Sequence, residues 1–130
     1  MSASKLRIVV VSGMREQLQM AAMTSSVGAV SGDDVMVFLS MNALPFFVKG
    51  ASQDAPPEGP IGKLLGQKSV PPFKKLFEQA VELGGARIHP CSMAMDLLKL
   101  EPAALEAYVG EPLGLTKFLD DCRDGQVWSF

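Results

Sequence analysis

The sequence predicts a three-layer α/β/α fold built on a five-stranded, mainly parallel sheet. Short apolar segments rich in β-branched residues alternate along the chain with longer segments whose apolar residues have helical spacing. Residues 6–12 and 35–40 are almost continuously apolar, which is typical of parallel strands that are buried on both faces. Strands that alternate with helices in this way favour a parallel sheet covered by helices on both sides.

The first half of the chain supplies two strands and two helices. After the strand at residues 6–12, a broad apolar face predicts a helix over residues 14–30, which Gly32 is placed to end. The second strand, residues 35–40, leads into a short helix over residues 42–48.

Residues 51–70 differ in composition, because they hold three prolines and three glycines. A loop of this length within a compact domain is usually functional, disordered or packed against a partner. We expect parts of it to lie near a subunit boundary, and one helical turn over residues 61–65. Ile61, Leu64 and Leu65, from the same or a neighbouring chain, are predicted to pack over or beside the candidate site described below; a surface loop remote from that site is the alternative.

The second half of the chain continues the alternation and supplies three more strands. In chain order the elements are an amphipathic helix over residues 73–83, a strand over 86–89, a helix that begins next to Cys91, a helical turn over 102–104, a brief strand over 106–109, a helix over 115–122 and a last strand over 126–130. The strand at 106–109 is placed there because Tyr108 and Val109 precede Gly110.

Composition narrows the class of function. The chain has 130 residues, a net charge of −2 and no cluster of Lys or Arg, which argues against a basic nucleic-acid surface. Its apolar runs are far too short to cross a bilayer, and residues 1–7 are followed by no segment of signal-peptide type. Two cysteines without a secretory signal predict a reducing compartment and no disulfide. We therefore expect a cytoplasmic protein with one domain over residues 1–130.

Cys91 is the main candidate for chemistry. It follows the strand at residues 86–89 and Pro90, a residue that suits the entry to a helix, so it is predicted at or next to a helix N-terminus. Unpaired amides and the positive end of the helix dipole favour an anion there, which makes a thiolate nucleophile. The alternative is a buried structural cysteine, since free cysteines are among the most buried residues.

Other loops are predicted to meet Cys91 at the same edge of the sheet. In open parallel sheets, ligands bind beyond the carboxyl ends of the strands. The residues that follow the predicted strands would line a pocket beside the thiol; they are Ser12, Gly13, Met14, Asn42, Ser92 and Met93.

His89, the only histidine, is a second candidate. It lies two residues before Cys91, and alternate residues of a strand share a face, so its imidazole would help to hold or deprotonate the thiol. The alternative is a structural role at the strand end. Met14, Met41, Met93 and Met95 offer thioether ligands for copper(I), but flexible filling of a core or interface explains them better. We expect no metal and no cofactor, because the sequence has neither a Gly-rich phosphate loop nor clustered Cys/His spacing.

Four stretches closely resemble the DsrE/DsrF-like family: VVVSGMREQLQMAAMTSSVGA, DDVMVFLSMNALPFFVKG, ARIHPCSMAMDLL and LGLTKFLDD. The resemblance spans nearly the whole chain and implies a five-stranded α/β/α fold and a role in sulfur trafficking. Family members related to the TusD sulfur-relay subunit carry sulfane sulfur on a cysteine after the third strand, and the matching position here is Cys91. No such role is implied for Cys122, which we expect to be buried and inert.

Residues and resemblance together predict a sulfur carrier or sulfurtransferase-like protein, and whether it is an enzyme stays open. Cys91 would hold sulfane sulfur as a persulfide and pass it on by thiol–persulfide exchange, so the expected partners are sulfur-donor and sulfur-acceptor proteins. The high apolar content also predicts a homo-oligomer. The alternatives are a non-catalytic oligomeric binding or assembly subunit, in which Cys91 is incidental, and a small-molecule or soft-metal binder. Sulfur transfer requires an accessible Cys91, whereas assembly does not.

Overall fold

The structure, a computed structural model, describes residues 4–51, 54–67 and 69–130. Its elements follow one another in the order β1 (Lys5–Val10), α1 (Arg15–Val30), β2 (Asp34–Leu39), a 3-10 helix (Met41–Phe47), α2 (Pro60–Leu65), α3 (Phe73–Gly84), β3 (Arg87–Pro90), α4 (Ser92–Leu98), a 3-10 turn (Pro102–Ala104), α5 (Leu115–Asp121) and β4 (Gln126–Ser129). Among the helices of these described ranges, none has the length and apolar character needed to span a membrane.

The sheet has four strands in the order β3–β2–β1–β4, and every neighbouring pair is parallel. The register sets Ile8 of β1 opposite Val37 of β2, and Val37 opposite Ile88 of β3. All three side chains are excluded from solvent, as expected for strands covered by helices. The predicted α/β fold with a parallel sheet is confirmed, but the sheet has four strands rather than the predicted five.

The fifth strand predicted at residues 106–109 is wrong, because these residues form a turn. The outer edge of β3 is instead paired irregularly by residues 110–113, which we call the edge segment. The amides of Gly110 and Leu113 donate to carbonyls of β3 at 2.6 and 3.0 Å. Between them, Pro112 has no N–H, so a regular ladder of hydrogen bonds cannot continue through the segment.

α1 and α3 cover one face of the sheet and pack against each other. Gly84, the last residue of α3, permits their close approach, since a Cβ atom there would lie 2.5 Å from the Cβ of Ala29. Gly28 permits a close approach of α1 to the sheet, because a Cβ atom at that position would lie 2.9 Å from a side-chain carbon of Leu6. These glycines fix the helix layer on the face that Ile8 occupies.

The opposite face carries α5 and a buried charge. Phe118 of α5 stacks on Phe38 of β2, with ring centroids 4.6 Å apart and planes 15° from parallel. Arg7 of β1 is fully buried on this face and forms ion pairs with Asp34 at 3.2 Å and Asp121 at 2.9 Å. The apolar pattern of the first strand gives no sign of this arginine, whose burial depends on its two carboxylate partners.

Candidate functional site

The structure places Cys91 where β3 ends and α4 begins. It is the N-cap residue of α4 and has an extended backbone conformation. Its carbonyl accepts a hydrogen bond from the amide of Met95 at 3.0 Å, and its own N–H donates to the carbonyl of Leu39, at the end of β2, at 2.8 Å. Cys91 therefore lies at the carboxyl edge of the sheet, and its backbone is fixed to the neighbouring strand.

The side chain of Cys91 is buried, with 5% of its surface exposed. The thiol makes no capping hydrogen bond to the helix. In the described part of the chain, the amides of Met93 and Ala94 in the first turn of α4 have no backbone acceptor. Two donors without a backbone acceptor thus lie in the same helical turn as the thiol.

The edge segment lies alongside Cys91. Leu113 and Cys91 form an isolated parallel bridge, and the carbonyl of Leu113 accepts the N–H of Ser92 at 2.9 Å. Gly114 follows immediately, and a Cβ atom there would lie 3.7 Å from the Oγ of Ser92. The segment that takes the place of the fifth strand therefore forms one wall of the candidate site.

The edge segment also fixes the imidazole of His89, which is half-buried on the same face of β3 as Cys91. Its Nδ1 lies 2.8 Å from the backbone carbonyl oxygen of Glu111. A carbonyl oxygen only accepts hydrogen bonds, so Nδ1 carries the hydrogen and Nε2 is the nitrogen left free to take up a proton.

The loops after β1 and β2 meet each other at this edge. A Cβ atom at Gly13 would lie 3.0 Å from the carbonyl oxygen of Asn42, so the glycine permits the contact. The Oγ of Ser12 accepts the N–H of Met14 at 3.0 Å, which shapes the turn into α1. Across the described ranges, no hydrogen bond joins these four residues to Cys91, so the structure brings them to the same edge but not into hydrogen-bonded contact with it.

The methionines of the soft-metal alternative differ in burial. Met93 and Met41 are about half exposed, whereas Met95 lies in the core with 3% of its surface exposed. Residues 4–51, 54–67 and 69–130 also contain no group of three or more His, Cys, Asp or Glu side chains that could hold a metal ion. The soft-metal alternative therefore gains no support from the described residues.

Cys122 follows α5 and is half-buried rather than fully buried. Burial raises the pKa of its thiol, and the opposing effect of the nearby Arg7 guanidinium does not cancel that rise. The Cys122 thiol is therefore mostly protonated near neutral pH, which makes it a poor nucleophile.

The described part of the long loop packs on the first turn of α1 through Glu16. The carboxylate of Glu16 accepts hydrogen bonds from the amides of Glu58, Gly59 and Gly62 at 2.8, 2.7 and 3.2 Å. These amides, that of Glu58 first, lower the pKa of Glu16. The sequence does not predict this contact of Glu16, because its partners are backbone amides more than forty positions away.

The apolar side chains in the described part of the loop are exposed or line a cavity that does not include Cys91. The predicted helical turn is present as α2, but its Ile61 and Leu64 side chains are exposed. Leu65 instead lines a cavity of about 250 Å³ together with Arg15, and Cys91 is not part of that cavity. Residues 52, 53 and 68 of the predicted loop lie outside the described residues.

A parallel sheet between helices, with a cysteine at its carboxyl edge and at the start of a helix, defines the class as small α/β proteins with a cysteine at the sheet edge. The model of the DsrE/DsrF/DrsH-like family matches residues 2–130, and the chain belongs to this family. No curated protein matches the chain.

Two solved structures share the fold. The crystal structure of the ychN protein from E. coli has a TM-score of 0.71 and 17% sequence identity, and the match covers 98% of this chain and 99% of that one. A protein of unknown function from Methanobacterium thermoautotrophicum also has a TM-score of 0.71, with 5% identity and the same coverage. At these identities the likeness shows the fold alone.

Proposed function

We propose that this protein is a sulfur carrier with sulfurtransferase-like chemistry, which holds sulfane sulfur as a persulfide on Cys91. The observation that carries the proposal is the place of Cys91 in a chain of the DsrE/DsrF/DrsH-like family, at the N-cap of α4 and the carboxyl edge of the sheet. The association of this family with sulfur relay supplies the substrate class. The partners would be sulfur-donor and sulfur-acceptor proteins of the cytoplasm, and residues 1–130 would act as one domain without a cofactor.

The proposed transfer involves no net oxidation or reduction. The thiolate of Cys91 attacks the outer sulfur of a donor persulfide, so that a new bond joins Sγ to that sulfur. The bond between the two donor sulfurs breaks, and the donor leaves as a thiolate. An acceptor thiolate then attacks the outer sulfur in the same manner, and Cys91 leaves as the thiolate that began the cycle.

The surroundings of Cys91 support an anionic sulfur. The unpaired amides of Met93 and Ala94 favour negative charge on the thiolate and on the bound persulfide. The Nε2 of His89, which carries no hydrogen when Nδ1 donates to the carbonyl of Glu111, would accept the proton that the thiol releases. In this proposal the pocket wall comprises Ser12, Gly13, Met14, Asn42, Ser92 and Met93.

Sulfur transfer requires that the buried thiol become accessible. The edge segment is the element best placed to open, because it is held to β3 irregularly, begins with Gly110 and is followed by Gly114. Glycine tolerates backbone conformations that other residues avoid, so a glycine lies on each side of the part that would move. We therefore propose that movement of the edge segment exposes Cys91 to its partners.

Intact-protein mass spectrometry after incubation with a persulfide donor tests the proposal. The wild-type chain should gain the mass of one sulfur atom, and a reducing agent should remove it. Cys91→Ser should gain none, because a hydroxyl cannot carry sulfane sulfur, whereas the matched variant Cys122→Ser should gain sulfur like the wild type. Sulfur retained by Cys91→Ser, or none on the wild type, would contradict the proposal.

The burial of Cys91 favours one alternative, a non-catalytic assembly subunit in which the thiol is part of the core. That function predicts no sulfur loading on either cysteine. It also predicts that Cys91→Ser leaves the binding of a partner protein unchanged. The same mass measurement therefore separates the two functions.

A further inference from the structure

We propose that Ser40 binds the terminal sulfur of the persulfide on Cys91, because its hydroxyl is placed to donate a hydrogen bond to that sulfur. This role rests on the persulfide function proposed above, to which it adds a second side chain in contact with the substrate.

Ser40 is the neighbour of Cys91 across the sheet. The register of β2 and β3 pairs Leu39 with Pro90, so the residues that follow them, Ser40 and Cys91, lie opposite each other. The N–H of Cys91 donates to the carbonyl of Leu39 at 2.8 Å, as a continued parallel ladder requires. Neighbouring strands are about 4.8 Å apart, and opposite residues point to the same face. The side chains of Ser40 and Cys91 therefore lie side by side on one face of the sheet.

A sharp turn directly after Ser40 keeps it in this register. Ser40 is extended, with φ −143° and ψ 173°, whereas Met41 has a φ of 51°. Methionine rarely adopts this left-handed conformation, because its Cβ then crowds the backbone. Since Met41 makes the turn, Ser40 continues the strand and its side chain stays on the face of Cys91.

The hydroxyl of Ser40 does not cap the helix that it precedes. Ser40 is the N-cap residue of the 3-10 helix, where serine usually bonds an amide of the first turn, but it makes no such bond. The amide of Asn42 donates instead to the carbonyl of Val11 at 3.1 Å. The amide of Ala43 donates to the backbone carbonyl of Ser40, also at 3.1 Å. The two amides that a capping hydroxyl would serve are therefore already paired.

The same hydroxyl belongs to a residue that is only 4% exposed. Among the described residues, the hydroxyls of Ser12, Thr24 and Ser25 take part in hydrogen bonds, but that of Ser40 does not. A polar group that is buried without a partner costs free energy, so such groups are rare unless a ligand uses them. This one lies next to the proposed nucleophile.

The persulfide form of Cys91 would supply the missing partner. In the described structure the thiol itself receives no hydrogen bond from Ser40. A second sulfur lengthens the side chain by an S–S bond of about 2 Å and carries the negative charge at its end. The neighbour of Cys91 on the other side is Leu113, whose side chain has no donor. A terminal sulfur directed towards Ser40 therefore gains a charge-assisted hydrogen bond that the free thiol lacks.

Exchange of sulfur with glutathione persulfide tests this role in the full chain. The thiolate of Cys91 bonds to the terminal sulfur, the S–S bond of the donor breaks, and glutathione leaves as a thiolate. Ser40→Ala should lower the equilibrium constant of this exchange about tenfold, because it removes a hydrogen bond made only to the persulfide. Ser40→Thr keeps the hydroxyl and should keep most of the exchange. Intact-protein mass spectrometry over a series of glutathione persulfide to glutathione ratios measures each constant.

Two further measurements distinguish a binding role from a structural one. Ser40→Ala should unfold at a temperature no lower than that of the wild type, because it removes a buried hydroxyl that has no described partner. Its free Cys91 should also be alkylated at the wild-type rate. The matched control is Ser25→Ala, which removes a fully buried hydroxyl that donates to the carbonyl of Ala21 at 2.7 Å. That variant should exchange sulfur like the wild type.

Equal exchange constants for Ser40→Ala and the wild type would overturn the role of Ser40 and leave the persulfide on Cys91 standing. So would an equal loss in folded Ser40→Thr, or a lowered unfolding temperature of Ser40→Ala, since the hydroxyl would then be structural. A wild type that takes up no sulfur would instead overturn the proposed function itself, and the role of Ser40 with it.

Discussion

The buried guanidinium of Arg7 joins parts of the chain that are far apart in sequence. It contacts Asp34 at the start of β2 and Asp121 at the end of α5, and its Nε also donates to the backbone carbonyl of Asp121 at 3.1 Å. A buried cation costs free energy unless it is paired and hydrogen-bonded, so these partners are a condition of the fold. Arg7 therefore fixes α5 against the sheet.

Asp121→Asn should destabilise the protein because it removes the charge of one of the two partners of a fully buried cation. We expect a loss of about 1 to 2 kcal/mol in the free energy of unfolding. The matched control is Asp120→Asn, since Asp120 is exposed and pairs with the exposed Arg123. That change should stay within about 0.5 kcal/mol. Urea unfolding of both variants measures the difference, and equal losses would contradict the role given to Arg7.

For single residues, the sequence predicts the place in a helix or strand better than it predicts the contacts with distant parts of the chain. Pro90 and the apolar spacing after it are local signals, and they place Cys91 at the start of a helix, where the structure has it. Its backbone is paired with that of Leu113, which is 22 positions away, and no local pattern reports such a contact. The charge of Arg7 within an apolar strand is likewise explained only by partners that the fold brings near.

Among the elements, the strand predicted at residues 106–109 departs most from the structure. Tyr108 and Val109 have the composition of a strand, but Tyr108 packs edge-on against Phe47 and is part of a turn. Burial, together with the charges of Glu106 and Glu78, raises the pKa of Tyr108, so its hydroxyl stays protonated. Tertiary packing thus overrides strand propensity here, whereas the longer patterns of α1, α3 and the inner strands predict their elements well.

Leu113→Ala should increase the rate at which Cys91 reacts with an alkylating agent. The backbone of Leu113 is bridged to that of Cys91, and its side chain packs against the core, so a shorter side chain holds the edge segment beside Cys91 less firmly. We expect an increase of roughly fivefold or more, equivalent to about 1 kcal/mol in the cost of opening. The control is Leu115→Ala, which shortens a side chain that is 58% exposed.

The alkylation is followed by peptide mass spectrometry at neutral pH, so that Cys91 and Cys122 are counted separately. Equal rates for Leu113→Ala and the wild type would show that the edge segment does not limit access to Cys91.

On the scale of the whole molecule, one carboxylate ties three strands together. Asp34 of β2 pairs with Arg7 of β1 at 3.2 Å and with Arg87 of β3 at 3.0 Å. Burial alone would raise the pKa of Asp34, but the guanidinium groups of Arg7 and then Arg87 outweigh it, and the pKa lies below its ordinary value. Glu16, which anchors the long loop, also has a lowered pKa.

Because the pKa of Asp34 is lowered in the folded state, the ion pairs of Asp34 make the protein more stable at neutral pH than in acid. The unfolded chain binds a proton at Asp34 more readily than the folded chain does, so the stabilisation is complete above the unfolded pKa, about 3.9. It is lost as the pH falls below that value and through the lower pKa of the folded state. The wild type should therefore lose stability between about pH 5 and pH 2.

Asp34→Asn should flatten this acid dependence, because asparagine does not titrate. The variant should be less stable than the wild type at pH 7, and the difference between them should shrink as the pH falls towards 2.

Thermal unfolding at a series of pH values measures both curves. Asp96→Asn is the control, since Asp96 is exposed on α4 and has no ion pair among the described residues. Its curve should follow that of the wild type. If the stability of Asp34→Asn fell with acid as steeply as that of the wild type, the ion pairs of Asp34 would not link stability to pH. Other carboxylates would then cause the loss of stability in acid.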